Sequence, residues 1–145
     1  MLLITLLILV CTSNSFGAFS GNSGDIQSIA VRGTLTCNGR PESSVLLKLY
    51  DEDTGFDIDD FIAESRTNSL GFFEFGGYIS EINQIDPKLN IYHDCNDGLM
   101  PCQRKISFII PNEYVSKGKE PHAVYDVGTI ELSRKYGGEE RDCFH

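Results

Sequence analysis

Residues 29–37 read IAVRGTLTC, and the fold turns on how that stretch is read. Ile29, Val31, Leu35 and Cys37 fall on one side of an extended chain, with Ala30, Arg32, Thr34 and Thr36 on the other. Apolar residues recurring every second position mark a strand with one buried face. The same period returns downstream. Val45, Leu47 and Leu49 form the next inward set, then Phe73 and Phe75, then Leu89, Ile91, His93 and Cys95. Cys102, Ile106, Phe108 and Ile110 follow, and finally Val124, Gly128, Ile130 and Leu132. Turn sequences separate these runs: CNGRP at 37–41, NSLG at 68–71 and NDGLMP at 96–101. No window supports a long amphipathic helix, and ISEINQIDP at 79–87 reads as a crossover with one helical turn ended by Pro87. With FIAESRT at 61–67, a further strand that the turn NSLG separates from FFEFGG, seven short strands joined by turns predict an all-β, antiparallel β-sandwich.

Outside this core, the chain of 145 residues suits one domain. Residues 1–17 read as a secretory signal peptide: Leu2–Val10 is apolar except for Thr5, about half the length that spans a bilayer, and SFG at 15–17 places small residues before a cleavage site. Residues 18–25 form a short flexible leader, and 26–145 the sandwich domain. Removing the signal peptide discards Cys11 and leaves Cys37, Cys95, Cys102 and Cys143, an even count that implies two disulfides in an oxidising compartment. Cys95 ends one strand and Cys102 begins the next, so Cys95–Cys102 closes that connection and Cys37 is left for Cys143. If the first and last strands lie side by side and parallel, Cys37 and Cys143 emerge at one end. Chain entropy assigns about 2–3 kcal/mol to the short loop and about 4–5 to the long one.

The net charge of −9 and the lack of a basic patch exclude nucleic acid and direct binding to anionic membranes. Six carboxylates, Asp51, Glu52, Asp53, Asp57, Asp59 and Asp60, fall in ten residues without a lysine or arginine among them. Asp51, Asp53 and Gly55 begin a calcium-loop spacing. Phe56 then stands where an EF-hand needs glycine, and Ile62 where it needs a bidentate glutamate. The stretch reads first as a hydrated loop that keeps neighbouring strands from pairing with other chains, with Asp51, Asp53, Asp57, Asp59 and Asp60 as a calcium candidate. His93, beside Asp94 and Cys95, reads as a half-buried, hydrogen-bonded strand residue, because two ligands on one face do not make a zinc site. Phe56, Phe61, Phe72 and Tyr78 fall in or beside loops and turns, where a ligand patch or core packing uses them. No nucleophile motif and no phosphate-cradling loop occurs, and no cofactor is called for.

The ordered segments VRGTLTCNGRP, LLKLYDEDTGFDIDDFIAE, TNSLGFFEFGG, PKLNIYHDC, IPNEYV, VYDVGTIEL and the final ERDC resemble the transthyretin-like family of secreted nematode proteins, from about Val31 to Cys143. The resemblance implies a transthyretin-like (prealbumin-like) sandwich, an extracellular location and the same four cysteines. It implies no defined catalytic set. The enzymatic relative of this fold, hydroxyisourate hydrolase, uses histidines, an arginine and a Tyr-Arg-Gly-Ser terminus, whereas this chain ends GGEERDCFH. The function so implied is a non-enzymatic extracellular binding protein: a carrier, ligand or cell-surface bridging factor for a protein, lipid or small hydrophobic ligand. The alternatives are a weak or relic hydrolase and a structural extracellular or cuticle-associated protein. Oligomerisation does not transfer on family likeness.

Overall fold

Ten strands follow one another in the computed structural model, which describes residues 24–55 and 57–145. They are β1 (Asp25–Cys37), β2 (Arg40–Pro41), β3 (Leu46–Asp51), β4 (Asp60–Arg66) and β5 (Phe72–Glu81), then β6 (Pro87–His93), β7 (Gln103–Ile109), β8 (Ser116–Lys117), β9 (Tyr125–Glu131) and β10 (Glu140–Asp142). Three of these, β2, β8 and β10, are two or three residues long; the other seven are the strands that alternation predicts. The expected signal peptide at 1–17, residues 18–23 of the leader and Phe56 lie outside the described residues.

β1 is the axis of the first sheet. Along one edge it pairs antiparallel with β5, from Asp25 opposite Glu81 to Thr34 opposite Phe72, and its far end turns into the β2 hairpin. Along the other edge it meets β8 and then β9, and the β9 pairing is parallel. The second sheet runs β10-β7-β6-β3-β4, antiparallel throughout. The inward sets named from the sequence meet between the sheets: Ile29, Val31 and Leu35 of β1 and Phe73 of β5 face Leu47, Leu49, Leu89, Ile91 and Ile106, all essentially sealed from solvent. Fully burying one such side chain contributes about 1.5–3 kcal/mol, which is why register follows the apolar pattern so closely.

Gly33 interrupts that pattern for a steric reason. A Cβ there would lie 2.5 Å from Val127 Cγ2 and 2.9 Å from Phe73 Cζ, so the missing side chain is the space those two groups fill. Opposite it, β9 carries an extra residue: Arg32 pairs with Asp126 but Thr34 with Thr129, and Gly128 sits at φ 72°. This bulge shifts the parity of β9. The sequence places Val124 and Gly128 on the inward face with Ile130 and Leu132; the structure instead packs Tyr125 and Val127 against the core, because a bulge residue reverses the alternation on one side of itself.

The 79–87 crossover also differs from expectation. β5 continues through Glu81 and residues 82–86 connect to β6 without a helix. The Gln27 side chain holds this segment extended, its Nε2 donating to Asn83 O at 2.8 Å and its Oε1 accepting the Ile85 N–H at 3.0 Å, while Ile85 is fully buried. The one helical turn among the described residues is a 3-10 turn at Asn112–Tyr114. After β9 the chain crosses from the first sheet to the second, where β10 adds to the free edge of β7 with Asp142 opposite Gln103. That crossing builds the pole described next.

Candidate functional site

A cleft of about 570 Å³ opens where residues 133–139 cross between the sheets, lined by Asp97, Arg104, Lys135, Tyr136, Glu139 and Arg141 among others. Arg104 stands on β7 two residues before Ile106, on the inward face, opposite His93 of β6. It is 7% exposed. A charged group on the apolar face must be paired to be tolerated, and here every donor of the guanidinium is used. Nε and Nη2 grip the two Glu139 carboxylate oxygens in a fork, Nη2 also donates to Arg134 O at 3.0 Å, and Nη1 donates to Cys95 O at 2.8 Å and Leu132 O at 3.1 Å. The planar five-donor head of arginine matches this set of acceptors. Hydrogen bonding to Arg104 holds the Glu139 carboxyl below its ordinary range.

His93 closes the same end of the core and is 2% exposed. Its Nδ1 accepts the Cys95 N–H at 3.1 Å, so the neutral ring carries its proton on Nε2, which is buried without a partner. Burial, followed by the charge of Arg104, pushes the imidazole down to about 4, against smaller opposing effects of Glu139, Asp94 and Asp97. His93 is therefore neutral at physiological pH, and neither it nor Arg104 presents a free polar atom to the cleft. A second fork lies beside the first: Arg141 donates to the two Asp97 oxygens at 2.8 and 2.6 Å and to Cys102 O at 3.2 Å.

The bridges correct the expected pairing. They join Cys37 to Cys95 and Cys102 to Cys143, with Cα atoms 5.8 and 4.3 Å apart, in place of Cys37–Cys143 and Cys95–Cys102. β1 and β9 are indeed parallel neighbours, but Cys143 does not end β9. It follows β10, and the β10–β7 pairing delivers it to Cys102, while the end of β1 in one sheet meets the end of β6 in the other.

The carboxylates of the acidic stretch do not converge on one point: Asp53, Asp57 and Asp60 border one open hollow, while Asp51 and Asp59 are turned to other partners. Asp51 is buried and accepts the Asp86 N–H at 2.7 Å; Asp59 accepts from Lys88 Nζ at 2.5 Å and from the Asp53 N–H at 3.2 Å. Lys88 of β6, which also reaches Glu52 at 3.4 Å, supplies the cation that the stretch itself lacks. Burial, then repulsion from Asp53, Asp86 and Asp60, raises Asp51 against the lowering effect of its backbone hydrogen bond. Among the described residues, no three histidine, cysteine or acidic side chains are placed to hold a metal ion, so Asp51, Asp53, Asp57, Asp59 and Asp60 do not form the calcium cluster considered from sequence. The aromatic candidates among the described residues are also dispersed. Phe61 packs edge-on against Tyr50 in the second sheet, while Phe72 and Tyr78 stand about 20 Å apart along β5 in the first.

Sequence reading did not single out Glu139, Arg141 or Asp97, nor give Arg104 a role. One signal was present: Arg104 shares parity with Cys102, Ile106 and Phe108, and a lone charge in an apolar series announces a buried partner. Glu139 and Arg141 follow a Gly-Gly turn in a segment without alternation, where nothing local marks the destination.

Comparison with known proteins agrees with this architecture. The model of the TTR-52 transthyretin-like family matches residues 32–111. Transthyretin-like protein 5 of Caenorhabditis elegans is 52% identical over 97% of this chain and 99% of its own length. Transthyretin-like protein 33 of the same organism is 46% identical over 98% and 95%, and transthyretin-like protein 2 is 41% identical over 84% and 86%. Among solved structures, a 9R-lipoxygenase from Cyanothece overlaps 73% of this chain and 16% of its own at a TM-score of 0.43 and 22% identity, a level that adds nothing to the assignment.

Proposed function

From the premise that this chain belongs to the transthyretin-like family, we propose that it is a secreted, non-enzymatic binding protein that works outside the cell as a carrier, ligand or cell-surface bridging factor. The observation that carries this reading is the contrast at one pole of the sandwich. The groups able to do chemistry there are sealed, with His93 buried and Arg104 fully donated, while three large apolar side chains beside them face solvent. Leu99 is 103% exposed, Met100 56% and Phe144 95%. Leu99 and Met100 lead into Cys102 and Phe144 follows Cys143, so one disulfide ties all three to the same place. Scattered exposed apolar residues are ordinary; a group fixed on a rigid, cross-linked pole is what recognition surfaces use. Two disulfides support export, since such bridges persist in oxidising compartments. No helix among the described residues is long and apolar enough to cross a membrane. The partner class is an extracellular protein or small hydrophobic ligand, because a net charge of −9 repels anionic lipid.

Native mass spectrometry of the protein recovered from secreting cells tests this. The expected result is a chain in the medium carrying a partner or ligand that a Leu99→Ser, Met100→Ser, Phe144→Ser variant fails to retain. A variant that retains it equally, or hydroxyisourate turnover above the buffer rate, refutes the reading.

A further inference from the structure

Asn38–Gly39 is the single Asn-Gly pair in the sequence, and both residues are exposed at the turn between β1 and β2. Such a pair is chemically labile. The glycine nitrogen, unshielded by any Cβ, attacks the asparagine Cγ; the side-chain nitrogen leaves as ammonia, and water opens the resulting succinimide to aspartate or isoaspartate. The net change is one water consumed, one ammonia released and one carboxylate gained.

Three contacts stand in the way of that attack. The Asn38 side chain is held in a two-way amide pair, its Nδ2 donating to Asn96 Oδ1 at 2.7 Å and its Oδ1 accepting from Asn96 Nδ2 at 3.0 Å. Turning Cγ toward the Gly39 nitrogen breaks both bonds. The attacking N–H is itself occupied, donating to Glu131 Oε1 at 2.5 Å, while the Asn38 N–H donates to Glu131 Oε2 at 3.1 Å. The nucleophile must lose that proton, and a carboxylate facing it disfavours the amide anion. Backbone N–H groups of Ser133 and Gly39 lead in pulling Glu131 down to about 2, which leaves it charged and a poor base. Finally, Asn38 and Asn96 each directly follow a cysteine of the Cys37–Cys95 bridge, at φ 54° and 53°, so the disulfide sets the distance between the two amides.

We propose that Asn38–Gly39 is a latent deamidation site, held closed by Asn96, Glu131 and the Cys37–Cys95 bridge, that converts Asn38 to a carboxylate once those restraints open. The product loses the donor to Asn96 and places a second negative charge at Glu131. The modification therefore loosens the turn that carries the bridge and records that the bridge has been opened.

The test follows the one-unit mass increase, with isoaspartate located by peptide mapping, during incubation at neutral pH and physiological temperature. The native oxidised protein is expected to deamidate at Asn38 more slowly than the reduced, urea-unfolded chain. Glu131→Gln is expected to raise the native rate by about tenfold, the factor corresponding to one lost hydrogen bond of restraint, and Asn96→Gly, which keeps the positive φ and removes both amide bonds, by at least about as much. A native rate equal to that of the unfolded chain overturns the proposal without any variant. So does a folded Glu131→Gln protein that deamidates more slowly than the parent, which would make Glu131 the base that starts the reaction.

Discussion

Replacing Arg104 by methionine removes one side chain and leaves four acceptors without their donor. The Glu139 carboxylate, 13% exposed at its side chain, loses its fork; Cys95 O, Leu132 O and Arg134 O lose theirs. Breaking a buried ion pair from one side costs about 3–5 kcal/mol, because the remaining charge stays desolvated. Set against a total of about 5–15 kcal/mol for a domain of this kind, that is a large fraction. The loss is read from urea unfolding with both disulfides intact, followed by near-ultraviolet circular dichroism of the tyrosines, as a lowered midpoint at constant slope. Arg104→Met with Glu139→Leu recovers the part due to the stranded charge but not the part due to the three carbonyls, so the double variant falls between the single variant and the parent. Arg104→Lys also falls between them, since lysine keeps the charge but offers three donors without the planar fork. A loss below about 1 kcal/mol for Arg104→Met, the range of an exposed pair, refutes the claim that this residue locks the crossing segment to the core.

Other outcomes follow from the same geometry. His93 has a folded pKa of about 4 against 6.5 in an unfolded chain, so between those values the unfolded state binds the extra proton. Stability is fully present above pH 6.5 and falls by roughly 3 kcal/mol on descending toward pH 4; His93→Gln flattens that part of the curve, and an unchanged slope in the variant rejects the assignment. Proteolysis without reduction yields the cross-linked pairs Cys37–Cys95 and Cys102–Cys143, and recovery of a Cys95–Cys102 fragment contradicts the strand order. Gly33→Ala forces a methyl into Val127 and Phe73 and costs about 1–3 kcal/mol, seen as a lower melting temperature; an unaltered melt means that the β1–β9 contact is looser than its distances state.

The faces of the strands were legible in the sequence, whereas the sheets they belong to were not. Alternation is a local signal. It says that Ile29 and Val31 share a side, and it says the same of Leu89 and Ile91, because burial of one face sets both. It broke where the backbone departs from two-residue periodicity: at Gly128 one extra residue moved Tyr125 and Val127 inward, and no composition rule separates that glycine from one in a regular strand. The acidic stretch shows the same limit. Its own residues contain no cation, yet Lys88, more than twenty-five positions downstream, stands beside Asp59 because β6 pairs with β3.

The cysteines carry this distinction furthest, since their expected pairing came from correct local facts and a missing global one. Cys95 and Cys102 do flank a short connection, and β1 does lie parallel to β9. What the sequence withholds is that residues 133–139, after β9, leave that sheet altogether and that β10 joins β7. The consequence is energetic as well as topological. A short loop and a long one would have made the long bridge dominant, whereas the observed separations of 58 and 41 residues give nearly equal chain-entropy terms of about 4 kcal/mol each. Cys37–Cys95 holds sheet to sheet, and Cys102–Cys143 holds the final strand to its neighbour together with the Arg141–Asp97 fork. Opening either one therefore weakens a different contact by a similar amount, and the exposed apolar group of Leu99, Met100 and Phe144 keeps its rigid footing only while the second remains closed.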